Sequence, residues 1–153
     1  MTDTIRHHLT DDLLMAYSTG ELPEAFSLVV ATHVSLCDEC RARLGSFEAV
    51  GGEVLEAMQG ATVTESSFEA TLARITGQPI EDQRPIRAKG IFPSPLQDYV
   101  GGDLSAVKWK SVGMGVKQAI LPVASGATVR LLHIPAGGAM PDHGHKGREM
   151  TLV

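Results

Sequence analysis

Apolar side chains in the first half of this 153-residue chain recur at three- and four-residue steps, and the steps divide it into four helices. Leu13, Leu14 and Tyr17 make one face of a short first helix. Thr10 serves as its N-cap, Asp11 and Asp12 lie at the positive end of its dipole, and Gly20 stops it. A second helix starts at Pro23, which suits a first-turn position, and carries Phe26, Val29, Val30, His33 and Cys37 along one face. The third starts near Asp38 with Cys40, Leu44, Phe47, Val54, Leu55 and Met58 as its stripe; Gly51 and Gly52 weaken its middle and are expected to bend it. Ser66 and Glu69 form a capping-box pattern ahead of Phe68, Leu72 and Ile75, so a fourth short helix runs to Gly77. Four helices in so short a stretch make a small bundle with a thin core.

The pattern changes after Gly77. Residues 77–95 hold four prolines among mixed charges, which reads as a linker, because proline removes a donor and disfavours helix before it. Three β-leaning runs follow, Val107 to Val112, Val116 to Val123 and Thr128 to Ile134, each bounded by Gly, Pro or Ser. The expected fold class is therefore α+β in two domains: a helical domain over 1–77, a linker over 78–95 and a β domain over 96–153.

With 43% hydrophobic residues the chain can fold, and no apolar run approaches the roughly 18 residues that a membrane span needs. A soluble, intracellular protein is expected. The net charge of −5 hides an asymmetry: residues 1–80 hold four basic against twelve acidic side chains, whereas 81–153 hold nine against six. An acidic first half argues against direct nucleic-acid binding there and suits a basic protein surface.

The two cysteines, Cys37 and Cys40, are too few for a disulfide framework and too close to close a useful loop. His33 and Cys37 stand one helical turn apart and Cys40 follows through a turn, so His-x-x-x-Cys-x-x-Cys offers three of the four N or S ligands that zinc takes in a tetrahedron. His7 or His8 supplies the fourth; His8, nearer the first helix, is preferred. Four protein ligands make a closed, structural site, which can add on the order of 10 kcal/mol to folding. Simpler readings exist: a thioredoxin-like redox pair, two buried structural cysteines, or an ordinary helix histidine at His33. The redox motif belongs to a strand-to-helix context that is not visible here.

His8, His33, Cys37 and Cys40 resemble the signature of the zinc-binding anti-sigma factor family, an N-terminal His or Cys followed about 25 residues later by His-x-x-x-Cys-x-x-Cys on a small helical domain. The resemblance implies a cytoplasmic protein that binds an extracytoplasmic-function sigma factor, one to one, and covers its polymerase-binding surfaces. Apolar helix faces would make the contact, with Leu13, Leu14, Phe47, Val54 and Phe68 as candidates that are equally suited to the core.

A second group lies near the C-terminus. His143 and His145 are two apart, so a strand places both imidazoles on one side, and Glu149 keeps the same parity. Such a set suits a divalent transition metal such as zinc, iron, manganese or nickel. Gly137, His143, His145 and Glu149 resemble the first cupin motif residue by residue; the second, which brings a further His ligand, is absent. About 58 residues follow the linker where a cupin jelly roll needs roughly a hundred, so the β domain is expected to be incomplete and the chain a fragment.

A zinc anti-sigma module joined to a cupin resembles the ChrR group of anti-sigma factors. The resemblance implies no catalysis, zinc in the first domain, a second metal, expected to be zinc, in the cupin, and relief of repression by an oxidative signal such as singlet oxygen or organic peroxide. Oxidising Cys37 and Cys40 to a disulfide would link one local turn and would first have to displace zinc, so sensing fits the second domain better. The main alternative is a cupin metalloenzyme, an oxygenase or isomerase, using His143, His145 and Glu149 with an open coordination position. A zinc-dependent redox switch is a third.

Overall fold

The computed structural model describes residues 5–77, 90–124, 126–139, 144 and 146–153. In these, α1 (Asp11–Ser18), α2 (Glu24–Leu36), α3 (Asp38–Ala57), α4 (Glu65–Thr76) and α5 (Ser94–Val100) precede a 3-10 turn (Leu104–Ala106) and the strands β1 (Lys110–Gly113), β2 (Val116–Leu121) and β3 (Val129–His133). The α+β class holds.

Local chemistry sets the first three helices as expected. Thr10 Oγ1 accepts from the Leu13 amide ahead of α1, Gly20 follows it at positive φ, and Pro23 precedes α2. Cys37 is shared between two helices, closing α2 and N-capping α3 through its sulfur, which accepts from the Cys40 amide. Leu14, Val30, Val34, Cys37, Cys40 and Leu44 form one buried cluster, so the two cysteines are part of the core they were expected to line. Ile5, Leu9, Tyr17, Leu22, Phe47 and, from the C-terminal stretch, Met150 close over it.

The fourth helix departs from expectation. It forms where the pattern placed it and ends at Gly77, but it buries no residue, so the packed unit is α1, α2 and the first half of α3 and not a four-helix bundle. The six-residue cluster is already closed by the first three helices, and the last ten residues of α3 run on past it, all exposed. Gly51 and Gly52 lie within an unbroken helix. Thr64, not Ser66, is the residue ahead of α4, and it makes no side-chain cap to the backbone.

Residues 78–89 of the expected linker lie outside the described residues; its end does not behave as one. Asp103 accepts from the amides of Ile91 (2.9 Å) and Phe92 (2.8 Å), which holds its carboxyl below the usual carboxylate range. A Cβ at residue 90 would sit 2.6 Å from the Asp103 carboxylate oxygen, so a side chain there would push that carboxylate away from the two amides. Then α5, which the sequence reading did not anticipate, starts at Ser94 and packs on α2.

Beyond it the three strands form an antiparallel sheet in the order β1-β2-β3, with Lys110 opposite Gln118 and Ala119 opposite Leu131. The first strand begins at Lys110 and not at Val107, because the Val107 amide still bonds back to Leu104 and the Trp109 amide to the Val107 carbonyl. Ala119 and Leu121 are buried while Ile120 between them is exposed, the alternation of a sheet covered on one face.

The β segment is tied to the helical one at Glu24, whose carboxylate accepts from the Tyr99 hydroxyl (2.7 Å) and from the Ala124 amide. The Ala124 amide, and after it Tyr99, lower the Glu24 pKa. The contact is therefore full above the ordinary glutamate pKa and lost as pH falls through the depressed folded value. Replacing Glu24 by Ala should abolish protection of the Ala124 amide in hydrogen exchange at neutral pH and leave protection in α3 unchanged.

Candidate metal centre

Four stretches of the chain meet at the base of the core. The arm before α1 brings His8, the last turn of α2 brings His33, the α2–α3 junction brings Cys37, and the first turn of α3 brings Cys40. The ligand atoms of the four lie within 4.8 Å of one another. His33 Nε2 is 3.3 Å from Cys40 Sγ, and His8 Nδ1 is 3.4 Å from Cys37 Sγ and 3.6 Å from Cys40 Sγ. A zinc tetrahedron with two N and two S ligands has edges of about 3.3–3.8 Å, so these separations fit the ion.

The electrostatics point the same way. Burial pushes the Cys40 thiol up, with the neighbouring Cys37 adding to it, so a thiolate there needs a cation to compensate it. The Leu9 amide donates to Cys40 Sγ at 3.4 Å and the Cys40 amide to Cys37 Sγ at 3.4 Å, partial support for negative sulfur. Burial, and next the nearness of the His8 ring, lower the His33 pKa, which favours the neutral imidazole that a ligand must be. Of the two histidines left open by the sequence, it is His8 that enters the cluster.

Supporting contacts that local patterns do not encode hold the His8 arm. Arg43 donates to the Leu9 carbonyl at 3.0 Å and pairs with Asp11, and His8 Nε2 lies 3.3 Å from Glu39 Oε2. All three bridge the arm to α3 across about thirty residues of chain, so no window of the sequence contains both partners.

At the second expected site, His143 and His145 lie outside the described residues. Glu149 is exposed and accepts from the Thr151 hydroxyl at 3.3 Å.

The candidate contact residues separate by burial. Leu14, equally suited to contact or core by sequence, is fully buried between the first three helices, on the face of α1 that α2 and α3 cover. Leu13 is half-buried, and Phe47 packs on the core. Val54 (60% exposed) and Phe68 (70%) lie open. With them are Val50 and Leu55 on α3, Met58 just past its end, and Leu72 and Ile75 on α4. These side chains stay uncovered by the rest of the described chain.

No protein-family model matches the chain. Over 98% of its length it is 54% identical to the anti-sigma-E factor ChrR of Cereibacter sphaeroides, and it covers 70% of that protein. Its fold matches a chain in the crystal structure of Rhodobacter sphaeroides SigE in complex with the anti-sigma ChrR, with a TM-score of 0.79 and 52% identity over 94% of this chain and 74% of that one. The class so defined is that of an anti-sigma factor, a regulatory protein and not an enzyme, and the metalloenzyme reading falls. At this identity and coverage the chain belongs to the family of the anti-sigma-E factor ChrR.

Proposed function

We propose that the protein sequesters an extracytoplasmic-function sigma factor in a one-to-one complex and so blocks its binding to RNA polymerase. The observation that carries this reading is the uncovered apolar surface of α3 and α4. Val50 and Val54 stand four residues apart on α3, Met58 follows just past its end, and Phe68, Leu72 and Ile75 follow the i, i+4, i+7 pattern on α4. Zinc held by His8, His33, Cys37 and Cys40 fixes the arm and the α2–α3 junction, and thereby the base from which α3 projects. The acidic balance of residues 1–80 suits a basic partner and speeds encounter with it.

Residues 1–77 form the sigma-binding module, and a cupin-like β domain follows the connecting segment. His143, His145 and Glu149 are its metal ligands, and an oxidative signal such as singlet oxygen or peroxide acts through it. No helix among the described residues is long and apolar enough to cross a membrane. A sigma factor works in the cytoplasm, and the proposal puts the protein there with it.

The test is transcription from a sigma-dependent promoter. Sigma factor preincubated with an equimolar amount of the protein should direct almost no transcript when core polymerase is added. Undiminished transcript from the preincubated mixture would overturn the proposal.

A further inference from the structure

The His8 ring faces two ways. Its Nδ1 faces the sulfurs of Cys37 and Cys40, at 3.4 and 3.6 Å, and its Nε2 lies 3.3 Å from Glu39 Oε2. Glu39 lies in the first turn of α3, one residue before the ligand Cys40, so the helix that supplies the thiolate also supplies the carboxylate. An imidazole that ligates through one nitrogen commonly donates its other N–H to a carboxylate, which fixes the tautomer and the ring plane. Of the four cluster residues, His8 alone comes from outside the α2–α3 hairpin and is the exposed one. It is the ligand most in need of an orienting partner.

We propose that Glu39 is the outer-sphere positioning residue of the metal centre: it accepts the Nε2 proton of His8 and so presents the Nδ1 lone pair to zinc. The assignment rests on the zinc reading of the His8–His33–Cys37–Cys40 cluster. Arg43 complements it, holding the backbone of the arm at the Leu9 carbonyl while Glu39 holds the ring. The neighbouring Asp38 supplies an internal control. It carries the same charge in the same helical turn but pairs with Arg41, away from the cluster.

The experiment measures zinc content first and then zinc affinity by competition with a chromophoric chelator, for the unaltered chain, Glu39→Ala, Glu39→Gln and Asp38→Asn. One zinc per unaltered chain is expected, with affinity about tenfold lower in Glu39→Ala, the low end of the range for outer-sphere partners because Glu39 is solvent-exposed. Glu39→Gln, which keeps an acceptor oxygen, should fall between, and Asp38→Asn should match the unaltered chain. Nitrogen-15 spectra of the histidine rings give a readout that helix stability alone does not move: His8 should be metal-bound through Nδ1 with its proton on Nε2, and that proton should exchange faster in Glu39→Ala. Stoichiometric zinc with equal affinity in Glu39→Ala, or His8 bound through Nε2, would overturn the role of Glu39 and leave the zinc site standing. An unaltered chain that holds no zinc would overturn both.

Discussion

Replacing Cys40 by serine is expected to strip zinc from the protein and unfold α1–α3. Cys40 is fully buried, and its sulfur meets His33, His8 and the Leu9 amide, so the substitution removes a ligand and leaves a hydroxyl among groups arranged for a thiolate. The size of the effect follows from the thinness of the core, six buried residues. Structural zinc contributes about 10–16 kcal/mol to small domains of this kind, comparable to the whole stability of a typical protein, about 5–15 kcal/mol. Metal analysis should fall from one zinc per chain to none, and the helical circular dichroism should lose its cooperative melt. Cys37→Ser should do the same and also weaken the start of α3, because Cys37 sulfur accepts from the Cys40 amide. A metal-free Cys40→Ser protein with an unchanged melting curve would show that packing alone holds the helices.

The second large effect dissociates binding from folding. Changing Phe68, Leu72 and Ile75 together to serine should abolish sigma binding while zinc content and melting temperature stay as they are. No residue of α4 is buried, so removing its apolar side chains costs the isolated protein no core. In a complex the same three would be anchors, and loss of two or three such residues, at about 2 kcal/mol or more each, weakens binding by roughly a thousandfold or beyond. Leu14→Ala is the converse control. It should lower stability by about 2–5 kcal/mol, as expected for a fully buried leucine, and affect binding only through unfolding. Competition binding against a labelled sigma factor, read beside thermal melts, separates the two variants.

The contrast between Leu14 and Phe68 shows what the sequence could and could not convey. Both sit in helices with sound local signals, and both helices form where the pattern put them. Periodicity identifies a face that must be covered; it says nothing of whether the cover comes from this chain or another. Thr10, Gly20, Pro23 and the His33–Cys37–Cys40 spacing were legible because each acts within one or two turns. Glu39 with His8, Arg43 with Leu9, and Glu24 with Tyr99 and Ala124 were not, since each pair is set by how distant segments pack. The short α5 was hidden for a different reason. Its first residues include Pro95, which reads as linker text yet is compatible with the first turn of a helix.

The central claim is that zinc shapes the helices into a surface that holds a sigma factor, and one titration addresses it. An extracytoplasmic-function sigma factor that copurifies with the protein is titrated calorimetrically with the zinc-loaded chain and with chain stripped of zinc by a chelator. The loaded chain should bind tightly, one to one, and the stripped chain not at all. Equal binding by both, or no binding by the zinc-loaded chain, would contradict the claim.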